Sequence, residues 1–250
     1  MINLDEQKIL SNWEELLSYV DMLGDRKESL HGLYKYFRDE MMLMPASGKE
    51  YFHSCYPGGY VVHVLNVIKN SIKLSNLWEE AGSVNNFTKE ELIFCALNHD
   101  LGKVGDKNNR YYVEHDDQWR KQRGELYKVN EDLTYMEVAD RSLFLLQEFN
   151  VPYNQNEFIA IKLHDGLYND GNKSYLIGWS DYKSLRSNLP ILLHHADMMS
   201  TRIEYEEWKS TQKNGNSSPS KQFTKKSNIK KIKLPSNAAK IANNFFDGGK

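Results

Sequence analysis

Apolar side chains recur at steps of three and four residues over most of this chain, the spacing that lines up one face of an α-helix. The stretch LDEQKILSNWEELLSYVDML (4–23) shows it first, and SLHGLYKYFRDEMMLM (29–44) repeats it until Pro45 ends the run. A third helix is predicted over YVVHVLNVIKNSIKLSNLW (60–78), and further ones over ELIFCALNHDL (91–101), MEVADRSLFLLQEF (136–149), NEFIAIKLHDG (156–166) and LPILLHHADMMSTRIEYEEW (189–208). Two capping boxes are expected, Thr88 with Glu91 and Thr134 with Glu137. Strand-like alternation is scarce; YLIGWS (175–180) and RYYVEH (110–115) are the best candidates for a small hairpin. The expectation is a mainly α protein, a helical bundle with one small β-hairpin.

Composition supports a folded body. With 250 residues, 40% of them apolar and 12% aromatic, the chain can close a substantial core as one large domain or two small ones. Cys55 and Cys95 have no CxxC spacing, which points to a reducing compartment rather than a disulfide framework. The acidic, amphipathic N-terminus lacks the basic and apolar regions of a signal peptide, and no run approaches the ~20 apolar residues that span a bilayer. A cytoplasmic protein with no membrane partner is expected.

The net charge of −2 conceals an asymmetry: residues 208–250 carry +9, leaving −11 on residues 1–207. The segment 209–233 is rich in Lys, Ser, Asn and Gly and nearly free of large apolar side chains, the composition of a flexible tail. This divides the chain into a domain over 1–207 and a basic tail over 208–250.

Of eight histidines, His63, His99, His164, His194 and His195 fall within or at the ends of apolar helices. Each ring nitrogen there needs a partner, and side chains converging inside a helical bundle are where metal sites are built. Imidazole with carboxylate suits a divalent ion such as Mn, Fe, Mg, Ni or Zn. His99 and Asp100 are adjacent, about 100° apart on a helix, so both can reach one ion only near a helix end. Gly102 follows, where a glycine lets the chain turn sharply, and Lys103 lands near the same place. His194 and Asp197, three apart, share a helix face.

These residues resemble the HD-domain superfamily of metal-dependent phosphohydrolases. One His on a first helix, a His-Asp doublet on a second and a distant Asp on a later one are matched in order by His63, His99, Asp100 and Asp197, within YPGGYVVHVLNV, NHDLGKVG and HHADMMSTRIE. The similarity spans roughly residues 50–205. The segment HSCYPGGYVVH is similar to the HD domains of 3′-to-5′ exoribonucleases; HDLGKVG with the later LHDGLYNDG looks like HD-GYP-type phosphodiesterases, although the GYP block is absent and Glu137, Val138 and Ala139 stand where those enzymes carry another ligand histidine.

The resemblance implies that His63, His99, Asp100 and Asp197 hold one divalent ion and that His164, supported by His194 or His195, holds a second bridged by Asp100. It also implies that Lys103 meets a substrate phosphate, with Asp100 and Lys103 as the catalytic pair. Arg202 either faces that phosphate or pairs with Glu204 to Glu207, and His115 is either a loop ligand or part of a solvated acidic turn. Tyr56, Tyr168 and Trp179 are candidates to stack on a base. The expected activity is hydrolysis of a small nucleotide: a nucleoside phosphate, a cyclic nucleotide or a dinucleotide. Two other readings stay open, a metal-dependent nuclease that gathers single-stranded nucleic acid through its lysine tail and an HD-fold di-iron oxygenase. A non-catalytic binding protein is a fourth.

Overall fold

The computed structural model describes residues 4–178 and 180–215, and is mainly helical. Helix α1 (Glu6–Val20) is N-capped by Asp5, whose carboxylate accepts from the Lys8 amide, and α2 (Lys27–Tyr36) and α3 (Arg38–Leu43) follow. The pattern read as one helix over 29–44 is thus two, broken at Phe37, and its end before Pro45 is as expected. Helix α4 (Gly59–Glu80) and α5 (Lys89–Asn98) come next. Strands β1 (Tyr112–Glu114) and β2 (Tyr127–Val129) pair antiparallel around the short α6 (Gln118–Gln122). Then come α7 (Val138–Glu148), α8 (Gln155–Leu163), the single turn α9 (Lys173–Leu176) and α10 (Leu189–Gly215).

The long α10 packs against α4 and α8, α4 against α5, and α7 against α8 and the turn after α5. Their shared core includes Val64, Val67, Ile68, Phe94, Leu97, Leu145, Ile161, Leu192 and Leu193. Helix α5 is buried on every side from Leu92 to Asn98, which is why its sequence is apolar all round. No helix among the described residues is long and apolar enough to cross a membrane. Cys55 and Cys95 are buried free thiols.

Two local expectations are corrected. Residues 175–178 of YLIGWS form no strand: residues 173–176 are α9, and RYYVEH pairs with Tyr127–Val129 instead, so β-branched and aromatic content without a turn signal misassigned the partner. Thr134 and Glu137 form no capping box; α7 starts at Val138, and the Thr134 carbonyl accepts from the Arg141 guanidinium at 2.7 Å. A box unread in the sequence caps α8, where Asn154 and Glu157 satisfy each other's backbone amides. Helix α10 continues past residue 208 to Gly215. The tail from residue 216 onward and Trp179 lie outside the described residues.

Candidate metal centre

The site is assembled where α5 ends. Thr88 and Glu91 cap the start of that helix, and His99 keeps helical angles before Asp100 leaves them, so the doublet sits at a helix end as its sequence required. The turn glycine is Gly105, with φ +95°, and not Gly102. Gly102 instead lets the backbone press against α7: a Cβ there would lie 2.2 Å from the Val138 carbonyl oxygen. Its amide donates to the Ser142 hydroxyl at 2.8 Å, and this lock fixes the doublet against α7.

Asp100 is the hub. His63 Nε2 stands 3.7 Å and His99 Nε2 3.5 Å from its Oδ2, while His164 Nε2 is 3.6 Å from its Oδ1. Asp197 Oδ1 approaches His63 Nε2 at 3.1 Å. Four helices therefore meet at one point: His63 from α4, the doublet from the end of α5, His164 from the end of α8 and Asp197 from α10.

The rings are oriented from behind. His99 Nδ1 lies 2.8 Å from the Ala96 carbonyl and His164 Nδ1 2.8 Å from that of Ile161. A carbonyl only accepts, so both Nδ1 atoms carry a proton, and both Nε2 atoms point inward. His63 Nδ1 faces Glu204 in the same manner. Buried and without a hydrogen-bond partner, His63 Nε2 and His99 Nε2 are orphaned in the same few ångströms; the nearby Asp197 oxygen does not meet the His63 ring in hydrogen-bonding geometry. Burying such nitrogens unpaired is costly, and a divalent cation is the species that satisfies several of them together. The groups His63, His99 and Asp100, and His164, Asp165 and Asp197, could each hold an ion.

The electrostatics fit the same picture. Burial pulls the His63 imidazole down, but Glu204 and Asp197 outweigh it and hold it at about 10. Burial also opposes the charge on His164, and Asp165 with Asp100 raises it to about 9. His99, with burial dominant, falls to about 4. Burial would raise the Asp100 carboxyl, yet Lys103, His99 and His164 hold it well below the usual range; Asp197 is lowered by the three histidines in the same way.

The remaining expected residues separate cleanly. Lys103 reaches the hub, its Nζ 2.6 Å from Asp100 Oδ2 and 2.9 Å from the Ala46 carbonyl. His194 donates from Nδ1 to the His164 carbonyl at 2.7 Å and lines the cavity in front of the cluster, outside the ligating set. His195, one residue on and so turned about 100° around α10, packs edge-on to Trp78 with ring centroids 5.7 Å apart. It is not brought to the centre. Arg202 makes no ion pair among the described residues; it lies over Tyr205 on the cavity wall, rather than pairing with Glu204 to Glu207. Tyr168 lines the same cavity, Tyr56 does not, and His115 lies just beyond β1, away from the cluster.

Three residues at the centre carried no weight in the sequence. The His53 ring lies tilted beside His63 with centroids 4.7 Å apart, Asp165 stands 3.6 Å from His164, and Glu204 backs His63. Only Asp165 left a sequence signal, as the second His-Asp doublet in LHDG. The cavity that opens on the cluster holds about 520 Å³ and is bounded by Tyr51, Phe52, Tyr168 and Tyr205 as well as by the charged groups. The chain matches no family model, no curated protein and no solved structure.

Proposed function

We propose that this chain is a metal-dependent phosphohydrolase acting on a small nucleotide. The observation that carries the reading is the pair of orphaned Nε2 atoms of His63 and His99, aimed with His164 at the two oxygens of one buried carboxylate, Asp100. His63, His99, Asp100 and Asp197 would hold one divalent ion, and His164 with Asp165 a second. Bound there, a divalent ion lowers the pKa of water and polarises a phosphoryl oxygen. The ordered resemblance to HD phosphohydrolases points to the same chemistry.

The chain's own groups supply the rest. Lys103 and Arg202 put positive charge on the cavity wall, where a phosphate would sit against them. His194, held by the His164 carbonyl, lines the same space. The tyrosines and Phe52 give a base flat apolar surface, and a volume near 520 Å³ suits a mononucleotide better than a polymer. That size favours the nucleotidase reading over the nuclease.

The test is to load the purified chain with Mn and offer ribo- and deoxynucleotides, cyclic nucleotides and short DNA and RNA, beside Asp100→Ala. Products made by wild type and not by the variant, and abolished by a chelator, are expected. Identical product profiles from the two proteins would remove the hydrolase reading.

A further inference from the structure

A second groove lies at the far end of α8 from His164, and shares no lining residue with the cavity over the metal cluster. Nine residues of helix put the two about 14 Å apart along its axis. The groove holds about 820 Å³, the size of sites for small organic ligands. One wall is the start of α8, where Tyr153 and Phe158 stack with centroids 6.4 Å apart and an interplanar angle of 27°. The other comes from Ser174, Tyr175 and residues 182–186, which expose Tyr175 by 42% and Tyr182 by 90%. So much bare aromatic surface around a concavity is uncommon unless something covers it.

Charge narrows the occupant. Lys183 and Arg186 line this groove, neither makes an ion pair among the described residues, and no carboxylate is on the wall. The acids nearest in sequence are Asp181, exposed beside Tyr182 but not on the wall, and Glu157, which is 1% exposed and turned inward to Arg26 at 2.6 Å. Gln155 and Ser174 stand on the wall with side chains that make no hydrogen bond among the described residues. The lysine-rich end of this chain has the same sign as the groove and is a poor occupant.

We propose that this groove is a second ligand site, separate from the metal centre, for a small molecule that joins a planar aromatic ring to a phosphate; a mononucleotide is the simplest such ligand. The ring lies among Phe158, Tyr175 and Tyr182, and the phosphate meets Lys183 and Arg186. Gln155 and Ser174 read polar edges of the ring. The site does not depend on the metal or on the hydrolase reading.

AMP, adenosine and inorganic phosphate are the probes, titrated calorimetrically into the full chain in the presence of EDTA. Wild type and Asp100→Ala should bind AMP alike, and adenosine or phosphate alone should bind at least tenfold more weakly. Tyr182→Ala should weaken AMP about tenfold, and Lys183→Ala with Arg186→Ala by at least as much. All three side chains are exposed, so the variants should melt with wild type. The site is overturned if wild type takes up no AMP, or if these substitutions leave its affinity unchanged. It is equally overturned if Tyr182→Ala changes the sedimentation coefficient of the chain and not its AMP affinity, which assigns the face to self-association.

Discussion

His63 Nδ1 lies 3.2 Å from both carboxylate oxygens of Glu204, a residue 141 positions away. Glu204 is 4% exposed and is itself held by Ser54 at 2.7 Å and Asn66 at 2.9 Å. A carboxylate behind an imidazole fixes its tautomer and makes the opposite nitrogen a better ligand.

Glu204→Gln should therefore weaken metal binding by about 10- to 100-fold while the fold survives, because the amide keeps the shape but not the charge. Competition against a chelating dye gives the affinity, and the thermal midpoint of the metal-free chain checks the fold. Unchanged metal affinity in the variant would show that Glu204 serves packing alone.

The difference between Glu204 and Asp197 shows what was legible in the sequence. Asp197 is found from its place three residues after His194 and from the order of the doublet blocks, whereas Glu204 stands in the acidic run EYEEW and looks like one more solvated charge. Its role depends on α10 lying along α4, and no local pattern carries that information. The helices themselves were readable because a core-facing stripe is written at 3.6-residue spacing, and the candidate ligands lie on or at the ends of those helices. His194 and His195 show the limit of resolution: a neighbour-level choice is a 100° choice, and only the packing of Trp78 against one of them decides it. The wrong strand partner for RYYVEH has a similar origin, since pairing is a tertiary property.

Gly166 connects the site to the loop that follows α8. Its φ is +56°, and a Cβ would lie 2.3 to 2.7 Å from ring atoms of His194. Gly166→Ala thus meets two penalties, about 1–2 kcal/mol for the left-handed backbone and about 1–3 kcal/mol for crowding a packed ring. Urea unfolding should show a loss of about 2–5 kcal/mol, and any phosphohydrolase activity should fall as His194 is displaced. A variant as stable as wild type would mean that the His194 ring can swing away at no cost.

Arg26 closes a buried ion pair that sets the start of α8: its Nη1 is 2.6 Å from Glu157, the same residue that completes the α8 capping box. Burial raises the Glu157 carboxyl, and the Asn154 amide and Arg26 only partly offset it. Arg26→Ala strands that charge and should cost about 3–5 kcal/mol. Without Arg26 the folded carboxyl rises further, so the folded state holds its proton more tightly than the unfolded chain, at about 4.3. The variant should then lose stability as pH rises from about 4.3 through the raised folded value. Glu157→Gln in the same chain should recover much of the loss, because glutamine serves a capping box without the charge. Denaturant midpoints from pH 4 to 8 measure both effects, and a pH-independent loss would place the cost in packing instead.

Metal loading should release protons. In the metal-free chain His63 at about 10 and His164 at about 9 are both charged at neutral pH, held so by Glu204, Asp197, Asp165 and Asp100. An imidazole binds a metal through a lone pair, so each must lose its inward proton on loading, whereas His99, at about 4, has none to give. Calorimetry with Mn or Zn at pH 7.5, repeated in buffers of different ionisation enthalpy, should report about one proton released per ion bound, about two with both sites filled. Apparent affinity should climb with pH until His164 and then His63 titrate. The same shifts fix the sign for the metal-free fold: both values are raised above the unfolded value of about 6.5. Their contribution to stability is therefore full below that pH and lost as pH rises toward 9 and 10. The loaded protein, with both imidazoles neutral, should not show that alkaline loss. A binding enthalpy identical in every buffer would mean that the ion does not displace these two protons, and so does not bind where His63 and His164 face Asp100.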